Sequence, residues 1–414
     1  MLDGQFTIWH MLPILLVVFM FGGGLFTRLT TKAGKPLRDY SYQPKVSVLL
    51  PVYNEGAHVL ETINSILAAE WPADKLEIIA IDDCSKDDSY EYLCQAAEEH
   101  PERLRVSKNA ENSGKHVTLT RALAKSTGDI IICIDSDCIF DKQVIRELVS
   151  CFGDPKVGAV GGHIGVSNVN ENAFTMGQTL VYFMSFQVGK MVQNLQGKMF
   201  CISGCLFAVR REIFEEVEEE VRSRNWFGMQ VRDGEDRYMT HAILMRGWKT
   251  ILNPEAVCWT AVPAKMGQLF GQQLRWRRSG LRDLFWTLAR IPEHFRVIGA
   301  RALLTALIPE LFTVLWAFFL LTVVPVVGIG VMIDAVAKSF VMFSSVFVIM
   351  ALVYNFCIRH IAVGSEKIRY PILAGLVSAW FLMDSLLVAT LALCTFDVGS
   401  WGTREVAKSK TNTN

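Results

Sequence analysis

No two of the ten cysteines stand in a CxxC pair, and the closest pair, Cys201 and Cys205 in "CISGC", has no matching second pair. That pattern excludes a structural zinc site and a CxxC redox centre. The scattered thiols read as reduced, in cytosol or membrane. An excess of charge is also lacking: 41 Lys and Arg balance 41 Asp and Glu. No global basic field for nucleic acid exists, and no nucleic-acid partner is expected. There is no GxxxxGK[ST] phosphate loop, no internal repeat, and no low-complexity run apart from the polar tail "KSKTNTN". Residues 1–26 carry no early basic region and no small-residue cleavage site. They read as a retained anchor rather than a cleaved signal peptide.

What is present is apolar and unevenly placed. Hydrophobic residues make up 51% of the 414 and charged ones only 20%. Four blocks are long enough to cross a bilayer, which needs roughly 20 residues: Ile8 to Phe26, Leu303 to Ile333, Phe340 to Ile358 and Tyr370 to Phe396. Arg28, Lys32, Lys35 and Arg38 follow the first block and place that side in the cytosol. The globular segment 45–300 then lies in the cytosol too. The loop "DAVAKS" suits the outside, and "RHIAVGSEKIR", with Arg359, Lys367 and Arg369, suits the inside. A third trailing crossing puts the C-terminus outside, whereas Arg404, Lys408 and Lys410 argue for the inside. Asp384 makes the last block less comfortable as a simple lipid-facing span, so a re-entrant or interfacial path stays open. The division is an anchor and linker over 1–44, a globular domain over 45–300, and membrane helices with a tail over 301–414.

The globular segment alternates strand and helix patterns. "KVSVLLPVYNE", "LEIIAIDDCSKDD", "LRVSKN" and "GDIIICIDSDC" read as buried strands, with helical spacing between them. This predicts an α/β fold with a parallel sheet covered by helices. Ligands bind beyond the carboxyl ends of such strands, where Asn54, Glu55, Asp82, Asp83, Asp135 and Asp137 cluster.

In "IDSDC", Asp135 and Asp137 stand at i and i+2 past an apolar strand. Both can turn to one cation, and hard carboxylate oxygens suit Mg2+ or Mn2+; a solvated turn is the plainer alternative. Asp82 or Asp83 in "IDDCS" could accept from a nucleobase N–H or a ribose hydroxyl, or cap the next helix beside Ser85. Tyr53 could stack on a base or sit at the core edge. Lys115 in "SGKH" precedes a helix in a setting suited to phosphate. "SGCLFAVRR" is a small-residue turn followed by an apolar strand. Glu235 and Asp236 in "DGEDRYMTHAIL" open a helical pattern, where acids cap or serve as a general base. In "QQLRWRRSG", Arg275 can clamp a diphosphate and Trp276 offers a flat face to a sugar ring. Arg277, Arg278 and Arg282 read as contacts to anionic lipid.

The order "PVYNE", "IDDCS", "SGK", "DSD", "SGCLFAVRR", "GEDR", "QQLRW", "SWGTR" resembles the processive family 2 glycosyltransferases, in the hyaluronan and chitin synthase group. The membrane blocks look most like the chitin-oligosaccharide synthases of nodulating bacteria. The resemblance implies a Rossmann-like GT-A domain with a parallel-rich sheet, joined to transmembrane helices. Tyr53, Glu55, Asp82, Asp83, Lys115, Asp135 and Arg275 would hold a UDP-sugar, with Trp401 and Arg404 in a gating segment over the nucleotide. Asp137, with Asp135, would carry Mg2+ or Mn2+. Asp236, beside Glu235, would be the base. Ser203, Gly204 and Cys205 would form the acceptor-side priming loop, with Gln272 and Trp276 on the acceptor. The donor implied is UDP-N-acetylglucosamine, alone or with UDP-glucuronate, added to a growing β-linked chain by an inverting enzyme of the cell membrane. The runner-up is a non-processive transfer to a lipid carrier, and a remote third reading is a dead transporter or nucleotide sensor. Departures from the family pattern are Cys205 in place of Pro, Cys84 in place of Gly, "GEDR" in place of "GDDR", and no second basic residue after "SGK". They bear on donor and polymer more than on reaction type.

Overall fold

The structure is a computed structural model that describes residues 37–226, 229–231, 233–327, 329–357 and 365–395. The chain divides into two compact units. Of the described residues, 37–167 and 194–261 form one unit, and 168–193 with 262–395 form the other.

The first unit begins with β1 (Val46–Val52), α1 (Val59–Leu67), β2 (Leu76–Asp82), α2 (Ser89–Glu99), β3 (Leu104–Lys108), α3 (Lys115–Lys125) and β4 (Ile130–Ile134). β5 (Cys138–Phe140), α4 (Val144–Ser150) and β6 (Val157–Val166) come next. Between β6 and β7, the segment of the second unit contributes α5 (Ala173–Phe183) and the start of α6 (Lys190–Asn194). Then come β7 (Leu206–Arg210), α7 (Arg211–Arg222), the short pair β8 (Asn225–Trp226) and β9 (Met229–Gln230), α8 (Glu235–Met245) and β10 (Lys249–Thr260).

Eight strands make one sheet in the order β3-β2-β1-β4-β7-β6-β10-β5. The expected parallel half is there: β1 pairs in parallel with β2 and β4, and β2 with β3. Leu49, Leu50, Ile78, Ile79, Ile131 and Ile132 are all buried, as strands covered on both faces must be. The sheet as a whole is mixed, which corrects the parallel reading. β7 runs antiparallel to both β4 and β6, and β5 antiparallel to β10. The cause is local. The loop 202–205 lies at the carboxyl end of β4, where the Asp135 N–H meets the Cys205 carbonyl at 3.4 Å. A strand that starts there, with Leu206 opposite Ile134, can only run back down the sheet.

The second unit holds α5, α9 (Met266–Ala289), α10 (Ile291–Ile298), α11 (Ala300–Val327), α12 (Ile329–Cys357) and α13 (Pro371–Cys394). Asn172 caps α5 in a capping box: its side chain accepts from the Phe174 and Thr175 N–H groups at 2.9 and 3.1 Å, and the Thr175 hydroxyl accepts from its backbone at 3.0 Å. Proline opens α13, where a missing N–H costs nothing. Among the described residues two helical stretches, Val336–Cys357 and Pro371–Cys394, are long and apolar enough to cross a membrane. The block Ile8 to Phe26 lies outside the described residues. "DAVAKS", expected as an outer loop, is helical within α12. It contains neither Gly nor Pro to interrupt a helix.

Candidate active site

The ends of β1 and β2 are tied by short polar side chains. Asn54 and Cys84, each just past a strand, take left-handed backbone conformations, φ 56° and 62°. The Asn54 N–H donates to Ser85 Oγ at 2.9 Å, and Asn54 Oδ1 accepts from the Lys86 N–H at 2.9 Å. Ser89 Oγ accepts from the Glu55 and Gly56 N–H groups at 2.9 and 2.8 Å. Asp82 is fully buried; its Oδ2 accepts from the Ser85 N–H at 3.1 Å and lies 3.6 Å from Lys108 Nζ. Asp83 braces the start of α3: Oδ1 accepts from Asn109 Nδ2 at 2.7 Å and the Ser113 N–H at 2.9 Å, and Oδ2 from the Gly114 N–H at 2.8 Å. Tyr53 is half-buried beside them.

The end of β4 carries Asp135, Ser136 and Asp137. Ser136 Oγ donates to Glu55 Oε1 at 3.0 Å, joining this turn to the end of β1. Lys115 Nζ lies 2.5 Å from Asp135 Oδ1 and 3.5 Å from Glu235 Oε1, and donates to the Gly204 carbonyl at 3.0 Å. Burial alone would lower this ammonium, but the charges of Asp135 and Glu235 outweigh it and hold it well above the usual lysine range. Asp137 reaches solvent, yet protein surrounds it closely. Burial first, then the Asp135 charge, raises its carboxyl above the ordinary range. Two hard carboxylates, one raised by the other, fit a divalent cation, which would relieve their repulsion and take its remaining ligands from substrate phosphates.

α8 brings the second acidic pair. Asp236 Oδ2 accepts from the Gly204 N–H at 2.8 Å and Oδ1 from the Arg237 N–H at 2.8 Å. Thr240, one turn on, donates to the Asp236 carbonyl at 2.7 Å and accepts from the Ile202 N–H at 3.1 Å, so it fastens the 202–205 loop to the helix. A Cβ on Gly204 would meet Lys115 Nζ at 3.0 Å and Asp236 Oδ2 at 3.2 Å, so a larger residue there would have to displace both side chains slightly. Glu235 is buried; desolvation raises its carboxyl, Lys115 opposes the rise and Asp236 adds to it. Ser203 and Cys205 flank Gly204, half-buried. The Cys205 thiol contacts Cys138, and that contact and burial push it well above the ordinary thiol range. No disulfide forms among the described residues.

Asp135, Lys115, Gly204, Glu235 and Asp236 therefore form one connected network, joined through Ser136 to Glu55. Lys115, expected on phosphate, spends its ammonium inside that network, and Asp83, expected on the nucleoside, holds a loop. Gln272, Arg275 and Trp276 all lie on α9, in the second unit. Gln272 and Arg275 are half-buried and Trp276 is exposed. Trp401 and Arg404 lie outside the described residues. Sequence reasoning missed Asn109 and Thr240. The first ends a third strand, "LRVSKN", and so stands on the same edge as the acids; the second sits four residues after Asp236, on the same helix face.

Comparison with known proteins bears on the family and the fold. The model of the family described as "Glycosyl transferase family 2" matches residues 47–218. A hyaluronan synthase of Streptococcus pyogenes is 26% identical over 400 residues, covering 94% of this chain and 91% of that protein. An N-acetylglucosaminyltransferase of Rhizobium leguminosarum bv. viciae is 31% identical over 278 residues, 67% of this chain and 65% of that protein. A mannosyltransferase from Pyrobaculum calidifontis, solved in complex with GDP-Man and Mn2+, shares the fold with a TM-score of 0.57 at 20% identity, covering 93% of this chain and 99% of that one. The chain belongs to glycosyl transferase family 2, in the hyaluronan and chitin synthase group, and is a glycosyltransferase.

Proposed function

We propose that the protein is a membrane-embedded, inverting, processive synthase. It extends a β-linked polysaccharide from a UDP-sugar, with UDP-N-acetylglucosamine the favoured donor, and passes the chain across the bilayer along a path between its helices. The observation that carries this reading is the contact of Asp236 with the Gly204 loop at 2.8 Å, within one network with Asp135 and Lys115. Asp236 takes the proton from the terminal hydroxyl of the acceptor. That oxygen bonds to the anomeric carbon as the bond to the diphosphate breaks, so a single displacement inverts the α-linked donor. Asp135 and Asp137 would hold Mg2+ or Mn2+, which when bound would supply positive charge to the departing diphosphate. Lys115 and Glu235 keep the two acidic ends at a fixed spacing. Tyr53, Glu55, Asp82 and Asp83 line the nucleoside side. Gln272, Arg275 and Trp276 serve diphosphate and acceptor, as the QxxRW resemblance implies. The anchor over 1–44, the cytosolic domain over 45–300 and the helices over 301–414 fit a protein of the cell membrane.

Support for the donor class comes from the relatives, one a hyaluronan synthase and one an N-acetylglucosaminyltransferase. The test is a UDP-release screen over UDP-sugars with protein purified in detergent, followed by enzymatic digestion and gel sizing of the product. A ladder or long chain is expected; a single glycolipid overturns processivity. Asp236→Asn is expected to abolish transfer while UDP binding survives. Equal loss of both would remove Asp236 from the base role.

A further inference from the structure

Three backbone carbonyls just ahead of α8 turn toward one side chain. The Arg224 guanidinium donates to the carbonyls of Gly234 at 3.0 Å, Val231 at 3.4 Å and Asp233. The Arg224 carbonyl accepts from the Val231 N–H at 3.2 Å, closing the loop on itself. The same guanidinium lies 5.1 Å from the centre of the Tyr238 ring, one turn into α8. Val231 and Asp233 are buried, so their carbonyls need partners from the protein. Converging carbonyl oxygens repel one another unless a donor with several N–H groups in one plane stands between them. Arginine has that fork and lysine does not.

The turn leads directly into the second acidic pair. Gly234, at the N-cap of α8, takes a left-handed conformation (φ 69°) and has no side chain with which to hold the turn. Glu235 and Asp236 come next. The position of the Asp236 carboxylate against the Gly204 N–H is therefore set by where the turn sits.

We infer that Arg224 is a positioning residue for the transfer reaction: its guanidinium locks the turn through Val231, Asp233 and Gly234 and so sets Asp236 against the acceptor loop. The inference rests on Asp236 being the base. Displacing a reacting group by about 1 Å costs on the order of a hundredfold in rate, so a loosened turn acts on turnover rather than on donor binding.

The experiment compares Arg224→Lys, Arg224→Ala and Asp236→Asn with wild type, as full chains in detergent with added lipid, using the UDP-sugar with the highest turnover in the screen. Arg224→Lys keeps the charge and loses the fork. It is expected to lower kcat roughly tenfold or more and to leave the donor KM within about threefold. Millimolar guanidinium is expected to return part of the Arg224→Ala activity and none of the Asp236→Asn activity, a result that a purely structural arginine would not give. Hydrogen exchange is expected to quicken at residues 235–238 in Arg224→Lys while the amides of β1 and β4 stay protected. Wild-type kcat in Arg224→Lys overturns the inference, as does a raised KM at unchanged kcat. So does loss of protection across the whole sheet. An active Asp236→Asn would sink the base assignment alone, and the exchange at residues 235–238 would still judge the lock.

Discussion

Cys84 holds a backbone conformation that glycine adopts freely and a thiol-bearing residue does not: φ 62°, directly after Asp82 and Asp83. Its side chain makes one long contact, Sγ to the Ala110 carbonyl at 3.7 Å. Left-handed backbone at such a residue costs about 1 kcal/mol. Cys84→Gly is therefore expected to raise stability by about 1 kcal/mol with donor binding unchanged, read as a shift of the thermal unfolding midpoint in detergent. Gly204 presents the opposite case, because there an added Cβ would press on Lys115 Nζ and Asp236 Oδ2. Gly204→Ala is expected to push Lys115 and Asp236 apart and to cut turnover roughly tenfold or more, measured as UDP release, with the fold intact by circular dichroism. The acids at the strand ends were legible as a group because their spacing follows the strand pattern. Their partners were not. Nothing in "SGKH" says that Lys115 reaches Asp135 and the Gly204 carbonyl, because those residues come from separate elements that only the fold brings together.

At the scale of elements, Glu77 shows how the parallel half of the sheet is fastened. It lies on β2, and its Oε1 accepts from Ser47 Oγ of β1 at 2.5 Å and from the Thr127 N–H and Oγ at 2.5 and 2.9 Å. Arg105 of β3 pairs with its other oxygen. Burial works against the charge, but the Ser47 and Thr127 bonds and the Arg105 charge outweigh it, and the carboxyl stays below its ordinary range. A depressed carboxyl stabilises the fold fully above the unfolded carboxylate range and loses that stabilisation as pH falls through its folded value. Glu77→Gln is expected to cost roughly 1–3 kcal/mol at neutral pH and to flatten the acid limb of stability, read from unfolding midpoints across a pH series. The sequence showed β2 as a strand but not this clamp. A Glu inside "LEIIAID" reads as an outward-facing residue until three neighbouring segments are seen to close on it. Similarly, β7 could be read as a strand from "CLFAVRR", whereas its direction depends on where the preceding loop is anchored.

On the scale of the whole molecule, the two units bury their apolar residues by different rules. In the sheet unit β1, β2, β4 and β6 are buried along almost their whole length. In the helical unit α12 and α13 pack tightly on one another: a Cβ on Gly375 would lie 2.6 Å from the Val348 backbone, the close approach that small residues permit between membrane helices. Their other sides present large apolar side chains to the surroundings, with Phe356 88% and Val341 66% exposed, and Ile349, Ile372 and Leu387 exposed as well. An apolar surface of this extent over two long helices fits a lipid or partner contact, and the proposed membrane location commits to lipid. The protein is therefore expected to stay with the membrane pellet after an alkaline wash and to leave it only in detergent. Ile349→Arg places a charge on that exposed face, where insertion costs roughly 2.5–3.5 kcal/mol near the bilayer centre. It is expected to lower the membrane-inserted yield severalfold, whereas Gly375→Leu, which wedges the packed face, is expected to insert normally and to unfold at lower temperature in detergent. If both variants behaved alike in the two assays, lipid and helix contacts would not divide this surface, and the polymer path proposed between the helices would lose its footing.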